Sequence, residues 1–127
     1  MRSPGLALAA AGVLAAEGLA LLVFAIVELV GLGAGDAAST STALALIVLT
    51  LIGSAALISF AIGTRAGRSW ARSGGLVFQV LAVALAFASL TVQPIVWAFT
   101  LAAAVPGIAG FALLIASTRA ENESPAE

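Results

Sequence analysis

The stretch Gly63-Thr64-Arg65-Ala66-Gly67-Arg68-Ser69-Trp70-Ala71-Arg72 holds three of the chain's five basic residues. It lies between two long apolar runs, and the other two arginines, Arg2 and Arg119, lie near the ends. Basic residues beside short membrane spans stay on the cytoplasmic side. Read this way, the stretch is a cytoplasmic loop, and it sets which way every other segment faces. Arg65, Arg68, Trp70 and Arg72 are its candidate functional side chains.

Composition explains why the flanking runs are read as membrane spans. The chain has 127 residues, is 62% hydrophobic and only 9% charged, and its mean hydropathy is +1.20. A soluble globule of this size buries only part of its surface and needs polar residues to cover the rest. Apolar runs of about 20 residues fit the thickness of a bilayer instead. A formal net charge of -1 argues against a general nucleic-acid binder. Without cysteine there is no disulfide, thiolate metal site or thiol nucleophile. Without histidine the chain lacks the commonest metal ligand and the usual general base near neutral pH. No metal site and no cofactor is expected.

Four spans follow, at about 6–32, 43–63, 73–92 and 95–117. Pro4 suits a first helical turn. The first apolar run is too long for a cleaved signal peptide and is interrupted by Glu17, so an uncleaved helix is the better reading. The glycines of Gly31-Leu32-Gly33-Ala34-Gly35 end it, and Ser39-Thr40-Ser41-Thr42 caps the next. Thr91-Val92-Gln93-Pro94 is a tight outer turn, and Pro106-Gly107 is expected to bend the last span. Residues 118–127 read as a short disordered cytoplasmic tail. Four spans place both termini, the basic loop, Arg2 and Arg119 on the cytoplasmic side, and both outer loops then lack basic residues. Trp70 and Trp97 fall at opposite interfaces. The expected fold is a single all-α domain, an integral membrane four-helix bundle over residues 1–117.

Polar residues inside the spans are the candidates for function. Glu17 lies roughly 17 Å along its helix from Leu6, near the bilayer midplane. Such a residue faces the bundle interior as a rule. It is either a proton-linked or cation-binding carboxyl, or a neutral carboxyl that hydrogen-bonds a neighbouring helix. Glu28, eleven positions on, returns to nearly the same face after about three turns. It either continues a polar path from Glu17 or snorkels to the outer surface. Gln79, roughly 9 Å into the third span, needs partners on other helices. Ser54 falls near the depth of Glu17 and Ser59 nearer that of Gln79. A polar seam of Glu17, Ser54, Ser59 and Gln79 is therefore expected, as interhelical glue ahead of a binding site. Small residues recur four apart at Gly12 and Ala16, at Ala55, Ser59 and Gly63, at Ala82 and Ala86, and at Ala103 and Gly107. That spacing lets helices approach closely, within one chain or between chains.

The acidic residue in the first span, the outer loop of small residues, the inner Gly67-Arg68-Ser69-Trp70-Ala71-Arg72 and then Gln79 together resemble a group of small four-span integral membrane proteins of high-GC actinobacteria. The resemblance runs over nearly the whole chain. It implies topology and a bacterial inner-membrane location, and no reaction, because that group is largely uncharacterised. More loosely, Gly12-Val13-Leu14-Ala15-Ala16-Glu17 is similar to the first span of small multidrug-resistance transporters, which would make Glu17 a proton and cation site shared in a dimer. The later spans lack that family's aromatic-rich, glycine-marked pattern.

No phosphate-binding glycine loop, carboxylate dyad, catalytic triad or metal spacing is present, so an enzyme is not expected. The sequence points to a non-enzymatic accessory or interaction subunit. Its partners would be the lipid bilayer and a membrane protein or further copies of itself. The alternative is a small proton-coupled transporter of cationic or amphipathic compounds that uses Glu17.

Overall fold

The computed structural model describes residues 4–35, 39–95 and 97–122. Among these residues there are four α-helices and no strand: α1 (Pro4–Gly33), α2 (Thr40–Arg65), α3 (Ser69–Ser89) and α4 (Trp97–Asn122). Each is long and apolar enough to cross a membrane. Even α3, with 21 residues, extends about 30 Å, the thickness of a hydrocarbon core. The fold is the all-α four-helix bundle of a multi-pass membrane protein.

Local chemistry sets the helix ends. Gly67 has φ +79°, a left-handed conformation that lacks steric cost only for glycine. Around it, Arg68 N–H donates to Gly63 O at 2.9 Å and Gly67 N–H to Thr64 O at 3.1 Å. These two bonds satisfy carbonyls that the end of α2 leaves open. Ser39 caps α2 by accepting from the Thr42 N–H.

Several boundaries differ from the sequence reading. The helix α3 begins at Ser69 instead of Ser73, because Gly67 reverses the chain by itself and Ser69-Trp70-Ala71-Arg72 contains no helix breaker. Trp70 and Arg72 are consequently helical, Arg65 is the last residue of α2, which runs two residues past its expected limit, and only residues 66–68 connect α2 to α3. At its other end α3 stops at Ser89, three residues before the expected limit, and α4 starts at Trp97 beyond Pro94. The tail expected to be disordered from 118 is helical to Asn122, since neither glycine nor proline occurs between Gly110 and Pro125. The helix α4 runs on both sides of Pro106. Arg2, Asp36 and residues 123–127 lie outside the described residues.

Each helix packs against its neighbour in sequence, and α1 closes the ring on α4. The α1–α2 and α3–α4 hairpins make the most extensive contacts, and the hairpins meet along smaller seams. The up-and-down path makes α1 and α3 parallel and sets them diagonally across the bundle. The core lies in the half nearer the arginines. Ala10, Leu14, Leu57, Ala61 and Leu114 form one buried cluster. Gly75 makes room for it: a Cβ there would lie 3.1 Å from Leu114 Cδ1 and 3.3 Å from Leu14 Cδ1. In lipid this close packing, rather than escape from water, drives helix association. Gly63 lies against Ala71, Gly74 sits under the Phe60 ring, and Phe60 meets Trp70 edge-on at 6.2 Å. These contacts seal α2 to α3 near the arginine end.

Candidate functional site

Beyond that core lies one polar layer. Glu17 is thirteen residues into α1 and Gln79 ten residues into α3, about 20 Å and 15 Å from the arginine-side ends of their helices. Gln79 Nε2 donates to Glu17 Oε1 at 2.8 Å. The bond therefore runs across the diagonal of the bundle, between helices that are not neighbours in the ring. Gln79 is fully buried and Glu17 partly so.

A glycine on α4 makes the bond feasible. A Cβ at Gly110 would lie 2.8 Å from Gln79 Cδ and 3.0 Å from Nε2. The bare backbone of Gly110 is a shelf on which the amide rests. One turn away, Gly107 lets α4 approach α3 at Ala82 and Val83. On the other flank of α1, Ser54 Oγ donates to Gly18 O at 2.7 Å. A Cβ at Gly18 would meet Ile58 Cγ1 at 2.8 Å, so α1 and α2 touch backbone to side chain there. Glu17, Gly18, Ser54, Gln79 and Gly110 thus form one level of the bundle.

Gln79 is only half satisfied. Its Oε1 is buried without a partner. Turning the amide over moves the deficit to the nitrogen without removing it. A buried polar atom left open is costly, so the pair has room for one further donor.

The predicted seam is therefore rearranged. Glu17, Ser54 and Gln79 share a level, and Ser59 does not join them. Ser59 is exposed, and its hydroxyl donates to Ala55 O of its own helix at 2.8 Å. The early start of α3 explains the shift. Four extra residues add about 6 Å to the depth of Gln79 and lift it from the level of Ser59 to that of Glu17. Glu28 is partly buried at the opposite end, where Thr50 Oγ1 lies 3.5 Å from its Oε1. The Thr50 hydroxyl has a better acceptor in Leu46 O at 2.7 Å. Between the two glutamates, Leu21 packs on α2 at Gly53. Arg65, Arg68 and Trp70 are exposed at the arginine end, and Arg72 is half-buried there.

Sequence reading missed Gly110, because nothing in a glycine's neighbours says which helix face it presents. It also missed the bond between Ser89 and Thr100 at 2.6 Å, which ties α3 to α4 near their connection. An open apolar groove of about 440 Å³ lies beside it, with Leu85, Val92 and Phe99 in its lining. It is ten residues along α3 from Gln79 and shares none of the polar layer. Among the described residues no group of three acidic, histidine or cysteine side chains is placed to hold a metal ion. Comparison of the chain with protein-family models, with curated proteins and with solved structures finds no match.

Proposed function

We propose that the chain is a non-enzymatic subunit of the bacterial cytoplasmic membrane. Both termini face the cytoplasm, and the chain serves as an accessory or interaction partner of another membrane protein. The observation that carries this reading is the bond from Gln79 to Glu17. The one carboxyl at mid-depth is engaged inside the bundle, on the Gly110 shelf, and acts as an interhelical link. The orientation rests on Arg65, Arg68, Arg72 and Arg119, which share one end of the bundle. Kinship with the small four-span actinobacterial membrane proteins is part of the same proposal and rests on the Gly-Arg-x-Trp-Ala-Arg stretch followed by Gln79.

The unpartnered Gln79 Oε1 favours a second reading, a proton-coupled transporter of cationic or amphipathic compounds. Beside the carboxyl it makes an acceptor-rich pair suited to a proton or a cation. Purification in mild detergent from native membranes separates the two. Wild type, Glu17→Gln and Glu17→Ala are compared, with mass spectrometry of what co-purifies. A stoichiometric partner kept by Glu17→Gln and lost by Glu17→Ala is expected for the subunit. Proton-driven uptake that disappears in Glu17→Gln, with no partner in any sample, would replace it with the transporter.

A further inference from the structure

We infer that the arginine end of the bundle holds the phosphate of an anionic lipid, bound by Arg65 and Arg68 at the turn between α2 and α3, with the lipid's acyl chains lying over Trp70 and Ile62. The inference goes beyond the subunit reading and does not depend on it. It needs only that the chain lies in a membrane, and it holds whichever leaflet this end faces.

Arg65 ends α2 and Arg68 immediately precedes α3, so the two residues flank the turn at Gly67. Gly67 at φ +79° closes that turn, and Arg68 N–H ties it to Gly63 O at 2.9 Å. Two cationic side chains are thereby carried close together on a fixed backbone. Both are exposed, and neither guanidinium makes a hydrogen bond or an ion pair among the described residues. The Arg68 side chain also makes no bond to the start of α3. A guanidinium presents its donors in a planar fork that matches the oxygens of a phosphate. Here those donors have no use inside the fold, and one anion with several acceptor oxygens satisfies both side chains.

The surface beside the arginines selects a lipid over a soluble acidic segment. Ile62 is exposed one turn below Arg65 on the same face of α2. Trp70, two residues after Arg68, is exposed as well but is held in place. Its ring meets Phe60 edge-on at 6.2 Å, and a Cβ at Gly63 would lie 3.2 Å from its Cζ2. Val77, seven residues further on, continues the same exposed face of α3 into the span. Charge thus gives way within about one turn to apolar surface facing hydrocarbon, with an indole ring at the boundary where such rings prefer to sit. An anionic lipid carries charge and apolar chain in that order. An acidic segment in water has nothing to match Ile62 and Val77. Two copies meeting at this turn would set arginine against arginine. Arg119 is on α4, diagonally opposite α2, and does not belong to the site.

The test uses the full chain in vesicles that mix phosphatidylcholine and phosphatidylglycerol, one of the two with brominated acyl chains. Brominated chains quench a tryptophan they touch. Trp70 and Trp97 are the two tryptophans of the chain, so Trp97→Phe leaves Trp70 as the reporter. Each arginine at an anionic surface contributes roughly fivefold in affinity, so phosphatidylglycerol is expected to be preferred at Trp70 by at least about tenfold. Arg65→Gln with Arg68→Gln should bring the two lipids to within about twofold of parity, with helicity unchanged. Arg119→Gln should leave the preference in place, and Trp97, read in Trp70→Phe, should show none. Parity at Trp70 in the protein with all its arginines would overturn the proposal. A preference that survives the double substitution would do the same. An equal loss with Arg119→Gln would replace the site by diffuse charge at this end of the bundle. Full displacement of phosphatidylglycerol by soluble polyglutamate would assign the turn to an acidic protein segment instead.

Discussion

Gln79 and Glu17 are joined at 2.8 Å across the diagonal of the bundle, although α1 and α3 are not adjacent in the ring. A contact between neighbouring helices can be replaced by others along the same seam. The diagonal pair joins two helices that the α1–α4 and α2–α3 seams leave unlinked, and it ties one hairpin to the other at mid-depth. Its removal should be felt by the whole bundle.

Replacing Gln79 by leucine strands the Glu17 carboxyl without its donor. The expected loss is about 1–3 kcal/mol of stability, read from unfolding in detergent–SDS mixed micelles followed by circular dichroism. Glu17→Gln keeps an acceptor for Gln79 Nε2 and should cost less than about 1 kcal/mol. Equal effects of the two substitutions would mean that the bond does not contribute.

At Gly110, an added methyl group lands on the Gln79 side chain. Gly110→Ala should destabilise by about 1–3 kcal/mol, as overpacking does. Gly12→Ala, with nothing nearby, should stay within about 0.5 kcal/mol. The same micelle titration checks both, and a neutral Gly110→Ala would remove the shelf from this account.

Leu14 and Leu114 meet over Gly75 and are fully enclosed. Truncation of either to alanine should cost about 2–5 kcal/mol through the cavity it leaves. Leu49, 66% exposed, is the control, and Leu49→Ala should stay within about 0.5 kcal/mol. Comparable losses at all three positions would place the core elsewhere.

Ser54 and Ser59 distinguish a hydroxyl that crosses between helices from one that turns back. Ser54→Ala loses the bond to Gly18 O and should cost about 0.6 kcal/mol, the usual size of such a contact. Ser59→Ala should be silent in the same assay. A larger effect at Ser59 would restore it to the polar layer.

Gly67 closes α2 with φ +79°. Gly67→Ala forces a side chain into that region and should cost about 1 kcal/mol or more. Thermal unfolding in detergent tests it, and an unchanged midpoint would mean that the connection readjusts freely.

The four spans could be read from the chain alone, because hydropathy is summed over some 20 residues and a boundary error of a few residues leaves the sum unchanged. The grouping of Arg65, Arg68 and Arg72 was legible for the same reason: it is a property of a segment. Glu17, Ser54 and Gln79 could each be singled out, since a polar residue in an apolar run is conspicuous. Their pairing could not. It depends on depth to within a residue or two, and the extension of α3 back to Ser69 moved Gln79 by about 6 Å. That shift took Gln79 from Ser59 to Glu17. Which of the many small residues face inward was equally beyond the sequence, because alanine and glycine look alike on both faces of an apolar helix. Packing alone put Gly18, Gly75, Gly107 and Gly110 inside and left Gly12 and Ala16 outside. Composition and hydropathy thus determine that the chain has four helices long and apolar enough to cross a membrane. The meeting of Glu17 with Gln79 is decided only when four helices settle against each other, because contact between side chains depends on rotation and register that no single helix contains.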